Sequence, residues 1–235
     1  MKITITTIIV LFASLMHGQH STGIILEVNH TSFTNSLEEM VEMQGRLAPK
    51  TGFSLHAFFN DEYSEKLNLT LGLGYTYRRY EIGTTEQIWP SQIHPTAGYR
   101  AHVSPVAGVI IADHLGTHDF HYISVPFTAN YQLYKYGNSS IKLRAGITGT
   151  WLVESEASFH TTNSSGGEGS YSVNIGSLTN SVNLTTLAGL DIGIISTENF
   201  SISFVPTVGI ELFSTAKEIK NYRLTTISAG LQVMF

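Results

Sequence analysis

The end of the chain alternates between two kinds of side chain. Over residues 225–235 every second side chain from Ile227 onward is apolar, and those between are small or polar except Met234. A period of two predicts a β-strand with one apolar face and one polar face. A final strand that closes on an aromatic ring, here Phe235, is typical of a transmembrane β-barrel, because that ring lies at a membrane interface.

Seven earlier segments show the same alternation. The clearest has leucine or tyrosine at every second position from Leu67 to Tyr77, with asparagine, threonine, glycine and arginine between them. The predicted strands lie near residues 22–33, 53–59, 67–78, 123–133, 141–153, 182–193, 200–211 and 225–235. Eight strands are an even number, so the sheet can close on itself and leave no exposed edge.

Short and long connections alternate along the chain. Tight turns rich in Asn, Asp and Gly are predicted at 60–66, 136–138 and 197–199. Long connections are predicted near 34–50, 83–117 and 155–180, and a modest one near 215–221. The predicted fold is therefore all-β: an eight-stranded antiparallel up-and-down transmembrane β-barrel with short periplasmic turns, long extracellular loops and both termini at the periplasmic end.

A secreted soluble β-sandwich would also alternate, because its apolar face would form the core. Two features favour the membrane barrel. The polar face is rich in glycine and small hydroxyl side chains, which suits a narrow eight-stranded lumen. Aromatic residues such as Tyr75, Tyr131 and Trp151 cluster toward strand ends, as in the aromatic girdles of membrane barrels.

Composition restricts the location and the partners. Only 13% of residues are charged, about half the usual share, and the net charge of −5 argues against nucleic acid. Cysteine is absent, which excludes disulfides and thiolate metal sites. Residues 1–18 have a basic start and a short apolar run, which predicts a cleaved signal peptide; the barrel domain is then 19–235.

Several segments resemble the Bacteroidetes porin-family outer-membrane β-barrel proteins. They are 51–59 (Thr-Gly-Phe-Ser-Leu-His-Ala-Phe-Phe) with 67–77, 122–126 (Tyr-Ile-Ser-Val-Pro) with 129–131 (Ala-Asn-Tyr), 143–146 (Leu-Arg-Ala-Gly), 189–194, and the final strand. The resemblance covers most of the chain after the signal. It implies an eight-stranded barrel in the bacterial outer membrane, inserted by the barrel-assembly machinery, which reads the terminal strand and its Phe235. It implies no defined biochemical activity.

Six charged residues fall on the polar face and are predicted to form a lumen charge network: Glu27, Arg78, Lys142, Arg144, Asp191 and Glu211. Isolated charges are costly in a narrow barrel, so we expect them to pair. A salt-bridged plug is favoured over the selectivity constriction of a pore, because eight strands leave an interior just wide enough for side chains. Proline within a strand lacks a ladder donor, so Pro126 predicts a bulge.

Two patterns hint at chemistry but neither is a recognised site. Asp113, His114, His118, Asp119 and His121 are ligand types for zinc, yet their spacing matches no known motif, so we predict no metal site and no cofactor. His30 and Ser32 share one strand face, the spacing that some outer-membrane lipid A hydrolases use, but no third carboxylate can be placed beside them.

Three functions follow, in order of preference. The first is a largely filled barrel with a structural or interaction role, in which long external loops contact an extracellular ligand or protein. The second is a narrow porin-like channel for small solutes, and the third is a lipid-modifying hydrolase. The favoured prediction is thus not an enzyme, and its partners are outer-membrane lipid, the assembly machinery and whatever the loops bind.

Overall fold

The computed structural model describes residues 20–34, 45–84, 111–163, 168–197, 199–215, 217 and 223–235. The predicted signal segment, 1–18, lies outside these described residues, as do the central parts of the predicted first and second long connections. In the described part of the chain, no helix is long and apolar enough to cross a membrane.

Nine antiparallel strands make up the described structure: β1 (His20–Thr34), β2 (Gly45–Ser64), β3 (Leu67–Thr84), β4 (Ile111–Tyr136), β5 (Ser139–Asn163), β6 (Glu168–Asn174), β7 (Val182–Ser196), β8 (Ser201–Glu211) and β9 (Arg223–Met234). Their order is β4-β3-β2-β1-β9-β8-β7-β5, and β4 pairs again with β5. All strands except β6 therefore form one closed, eight-stranded, up-and-down barrel, which confirms the predicted fold class.

The apolar face of the barrel is exposed and the polar face is buried. Leu73 is 59% exposed, whereas Thr76 and Ser54, on the inward face, are 5% exposed. A soluble sandwich would show the opposite arrangement, because its apolar face would form the core. The outside of the barrel is thus a lipid-facing surface and the polar inside is the packed interior, as in a transmembrane barrel.

One end of the barrel carries the short turns, the start of β1 and the last residue, Phe235. Two residues, Gly137 and Asn138, join β4 to β5, and Gly137 has a φ of 56°, a conformation that glycine adopts without steric cost. The backbone N–H of Phe235 donates to the carbonyl oxygen of Thr22 at 2.8 Å, so the two ends of the barrel domain pair. The predicted turn at 60–66 is shorter, because β2 continues to Ser64.

At the opposite end the strands continue beyond the membrane. A bilayer needs about 9–11 residues per tilted strand, whereas β4 and β5 have 26 and 25 residues. The predicted long connection at 155–180 is wrong in its first part, because β5 runs on to Asn163 and pairs with β6 in an outer hairpin. Backbone pairing with β4 and β6 extends the ladder beyond the predicted strand end.

Pro126 does not form the predicted bulge. The register between β3 and β4 is the same on either side of it, with Leu71 opposite Phe127 and Gly74 opposite Ser124. Gly72 explains the difference, because a Cβ placed there would lie 2.9 Å from Cγ of Pro126. The missing side chain of Gly72 leaves room for the proline ring, and the strand stays regular.

Candidate functional site

The polar interior is the candidate functional site, because the barrel strands bring all six predicted charges onto its inward face. Arg78, Arg144, Asp191 and Glu211 are buried, and Glu27 and Lys142 are half-buried. The six do not form a single network. In the described part of the chain, only Arg78 and Glu211 form a direct ion pair with each other.

Among the six predicted lumen charges, Arg78 and Glu211 form an ion pair toward the external side of the barrel. Arg78 Nη1 donates to Glu211 Oε1 at 2.6 Å, and Glu211 is fully buried. The second carboxylate oxygen accepts from the Thr215 hydroxyl at 2.5 Å and from the Leu224 backbone N–H at 3.2 Å. The pair therefore joins β3 to β8 across the barrel and fixes the start of β9. These contacts offset the desolvation of both charges.

Aromatic rings cover this ion pair on the outer side. The Arg78 guanidinium lies 5.4 Å from the ring centroid of Tyr122, a cation–π geometry. Phe120 stacks on both Tyr122 and Tyr80, and Tyr80 stacks on His118 with centroids 4.9 Å apart. All four rings are buried. We call Tyr80, His118, Phe120 and Tyr122 the outer ring stack; it fills the external side of the lumen.

A hydrogen-bonded group, which we call the central group, links three adjacent strands through His56, Thr76 and Ser124. His56 Nε2 lies 2.7 Å from Ser124 Oγ, and Thr76 Oγ1 lies 2.9 Å from the same hydroxyl. His56 and Ser124 are on β2 and β4, which β3 separates, yet both stand opposite Gly74 of β3. Because Gly74 has no side chain, the two residues meet across it. His56 Nδ1 is 3.8 Å from Glu27 Oε2.

Serine, histidine and glutamate in this order have the composition of a hydrolytic triad. The hydroxyl of Ser124, however, is fully buried, and the cavity beside the group has a volume of only about 70 Å³. That volume holds a few water molecules and no lipid or peptide substrate. In the structure, the arrangement is a buried, hydrogen-bonded part of the packed interior.

Arg144 and Lys142 behave differently from Arg78. Arg144 Nη1 donates to Gln232 Oε1 at 3.0 Å, and its charge faces Glu27 and Asp191 without direct contact among the described residues. Lys142 stands opposite Asp191 in the β5–β7 ladder and borders a vestibule of about 400 Å³ at the short-turn end. That vestibule also carries Glu62 and Lys135, so both signs of charge are present.

An apolar layer separates the vestibule from the central group. Ile25, Phe58 and Val205 point inward, are at most 4% exposed and pack together, with Met234 against them. The layer lies nearer the short-turn end than the polar residues of the same strands. Ile25 is two residues nearer that end than Glu27, Phe58 is two nearer than His56, and Val205 is two nearer than Thr207. We call these four side chains the inner apolar layer.

The other sequence candidates stay apart. His118 points inward and belongs to the outer ring stack, whereas Asp119 and His121 are on the outward face. No group of three His, Asp or Glu side chains among the described residues could hold a metal ion. His30 and Ser32 both face outward, and the ladders place Thr51, Ile227 and Thr225 beside them.

Sequence reasoning did not single out His56, Ser124 or the inner apolar layer. The pattern put His56 on a polar face, but its contact with Ser124 depends on which residue of β3 stands between them. The sequence does contain a signal for Val205. This valine interrupts the series of small and polar inward residues Ser203, Thr207 and Gly209 on β8. Phe235 is 64% exposed at the barrel end, and its role as an assembly signal stays a prediction.

A closed strand count of eight, an exposed apolar exterior and a buried polar interior define an outer-membrane β-barrel. The chain belongs to the family described as outer membrane protein beta-barrel domain, whose pattern matches residues 21–212. The protein is therefore located in the bacterial outer membrane. A comparison with curated protein sequences finds no match.

Solved barrel structures are similar to this chain at low identity. Neisserial surface protein A is 13% identical, with 91% of this chain and 97% of that chain covered and a TM-score of 0.42. Ail, the attachment invasion locus protein of Yersinia pestis, is 12% identical, with coverage of 94% and 100% and a TM-score of 0.40. A major outer membrane protein from Thermus thermophilus is 9% identical, with coverage of 91% and 99% and a TM-score of 0.41.

Removing the Glu211 carboxylate should destabilise the barrel strongly. Glu211→Ala leaves the buried Arg78 cation and the Leu224 N–H without this acceptor, and we expect a loss of about 3–5 kcal/mol in the free energy of unfolding. The measurement is urea unfolding of the refolded protein in phospholipid vesicles, followed by tryptophan fluorescence. Glu62→Ala, at an exposed carboxylate of β2, is the control and should change stability by under about 1 kcal/mol.

The double variant Arg78→Met with Glu211→Leu should regain most of that loss, because neither charge is then buried without its partner. Equal stability of Glu211→Ala and Glu62→Ala would show that the ion pair does not organise the interior.

A methyl group at Gly74 should disturb the central group. A Cβ there would overlap the Leu55 carbonyl oxygen and would lie 2.6 Å from Cδ2 of His56. Gly74→Ala should therefore displace the His56 ring from Ser124 and cost about 1–3 kcal/mol. Gly149→Ala is the matched strand control, because its nearest atoms are in the Trp151 ring at 3.5 Å. A similar effect of both variants on urea unfolding would contradict this account.

Proposed function

We propose that this protein is a non-conducting outer-membrane barrel that anchors an external interaction surface. The observation that carries the proposal is the filling of the lumen by the inner apolar layer, the central group, the Arg78–Glu211 pair and the outer ring stack. Each lies at a different height in the lumen, so a solute would have to displace all four in turn.

The energies support a closed interior over a narrow channel. Separating a buried ion pair such as Arg78–Glu211 costs several kcal/mol, because each charge loses its partner in a poorly hydrated space. Spontaneous opening would then be rare, since each 1.4 kcal/mol lowers the open population about tenfold. The cavity of about 70 Å³ lined by His56 and Arg144 lies within this interior, where eight strands leave room for little besides side chains.

We also propose that the protein acts as an anchor and not as a hydrolase. A lipid hydrolase at His30 and Ser32 would need a carboxylate to orient the histidine, and the neighbouring ladder positions hold Thr51, Ile227 and Thr225. Ser124 and His56 have the hydrogen bond that a nucleophile needs, but Ser124 is fully buried. Neither pair supports catalysis as well as the filled interior supports an anchor.

The external part of the barrel supplies a surface for interaction. The long upper portions of β4 and β5, together with β6, form a sheet that extends past the lipid-facing band. Loops and extensions on a rigid scaffold are the usual location of binding residues. We propose that an extracellular ligand or protein contacts this end, and that insertion depends on the assembly machinery and the terminal Phe235. Membership of the Bacteroidetes porin family stays a prediction.

Planar-bilayer recording tests the closed interior. The refolded protein, residues 19–235, should give no steady conductance above that of the lipid, because no layer of the lumen opens at rest. Folding must be shown on the same sample by the shift in gel mobility between heated and unheated protein. Steady conductance with an ion selectivity that changes in Arg144→Ala would instead establish a pore.

A further inference from the structure

A compact polar and aromatic patch lies on the outer wall of the barrel. Its members are Tyr75, Tyr77 and Arg79 on β3 and Asp119 and His121 on β4, and we call them the boundary cluster. All face outward, away from the lumen. They follow the lipid-facing Leu73 and Ile123 along the same faces, so the cluster begins where the apolar wall ends.

The contacts within the boundary cluster hold its side chains in place. Arg79 Nε and Nη2 donate to the two oxygens of Asp119 at 2.6 and 3.1 Å, and the Tyr77 hydroxyl donates to Asp119 Oδ1 at 2.5 Å. The Tyr75 hydroxyl contacts His121 Nδ1. The Arg79 guanidinium also lies 5.7 Å from the Tyr77 ring centroid. A two-oxygen contact to arginine is a geometrically specific arrangement.

The height of the cluster corresponds to the polar headgroups of the outer leaflet. The apolar face of β3 starts at Leu67, and about ten steps of roughly 3.3 Å on a strand tilted by about 45° give a rise of about 23 Å at Tyr77. This is about the height of the apolar band of a membrane barrel. Arg79, Asp119 and His121 therefore lie just above the hydrocarbon, at the long-connection end.

The surroundings of the cluster favour one kind of headgroup. Arg79 is balanced by Asp119, and Glu154 stands opposite His121 on β5, so the patch has no excess positive charge to attract a phosphate. Aromatic side chains flank it: Phe53 packs on Tyr75 and Tyr77, and Trp151, one rung below Glu154, is 45% exposed. Exposed rings beside fixed carboxylate, guanidinium and imidazole groups suit a ligand with hydroxyl groups and apolar C–H faces.

We propose that the boundary cluster binds the saccharide headgroup of a membrane glycolipid. The occupant is a membrane lipid because the cluster continues the lipid-facing wall and a bilayer necessarily surrounds it. Sugar hydroxyls bond to the exposed nitrogen atoms of Arg79 and His121 and to the Glu154 carboxylate, while the Tyr77 and Phe53 rings contact the sugar ring. The acyl chains run down the apolar wall below Leu73 and Ile123.

Native mass spectrometry of the full barrel in nanodiscs tests this proposal. The nanodiscs contain phosphatidylcholine with equal small amounts of digalactosyl diacylglycerol, which has a neutral sugar headgroup, and phosphatidylglycerol, which has an anionic phosphate. The wild-type protein should retain the digalactosyl lipid in preference to phosphatidylglycerol. Loss of one or two hydrogen bonds in His121→Phe should lower that retention by about fivefold or more.

His30 provides the matched control. It is also an exposed outward histidine on the external half of the barrel, but it lies on β1, outside the boundary cluster. His30→Phe should retain the sugar lipid as the wild type does. Tyr77→Phe, which removes only the hydroxyl that holds Asp119, should lower retention less than His121→Phe and provides a second variant if the first folds poorly.

Two results would overturn the proposal. The first is equal or stronger retention of phosphatidylglycerol by the wild-type protein, which would identify a general lipid contact or a phosphate site. The second is an equal effect of His121→Phe and His30→Phe, which would mean that the aromatic and polar girdle as a whole, and not this cluster, contacts the headgroups.

Discussion

The structure depends on the need to satisfy buried polar groups inside a closed, narrow barrel. Lipid surrounds the wall and eight strands leave little room for water, so a charge on the inward face is costly unless the protein supplies polar groups around it. Glu211 shows how completely this can be achieved. Its carboxylate accepts hydrogen bonds from Arg78, Thr215 and the backbone of Leu224, which lie on or next to three different strands. The interior is thus a packed core built from polar side chains.

The exterior follows from the same alternation, because the residues between the inward-facing ones point outward to the lipid. Each strand presents apolar side chains to lipid, and the change to Arg79 on β3 and to Asp119 and His121 on β4 marks where the hydrocarbon ends. Charged groups on that wall are costly in the middle of the bilayer but are tolerated near its surface. The same strands continue outward as a sheet that includes β6. One period-two pattern therefore sets the interior, the membrane contact and the external extension.

Much of this could be read from the sequence. Alternation located the eight barrel strands, the short-turn end and the inward position of Arg78 and Glu211, because side chains alternate between the two faces along a regular strand. Pairing across the barrel could not be read in this way. The His56–Ser124 contact depends on Gly74 standing between them in register, and the Arg78–Glu211 contact depends on closure of the sheet around the lumen.

The mistaken expectations share a cause, which is that each was drawn from residues taken one strand at a time, whereas contacts between strands decide the structure. A long connection was expected at 155–180, yet β5 continues to Asn163 and pairs with β6. Pro126 suggested a bulge, yet Gly72 on the next strand makes space for its ring. The six lumen charges suggested one network, yet Lys142 borders the vestibule while Arg78 and Glu211 form a separate pair.

Accessibility of a single introduced cysteine tests the closed interior most directly, because the native chain contains no cysteine. Ser228 lines the central cavity and Ser139 is exposed at the vestibule. A membrane-impermeant maleimide should modify Ser139→Cys readily in the folded barrel. Ser228→Cys should stay unmodified until the protein is unfolded, because the inner apolar layer and the outer ring stack enclose it. Comparable modification of both cysteines in the folded protein would contradict a filled lumen.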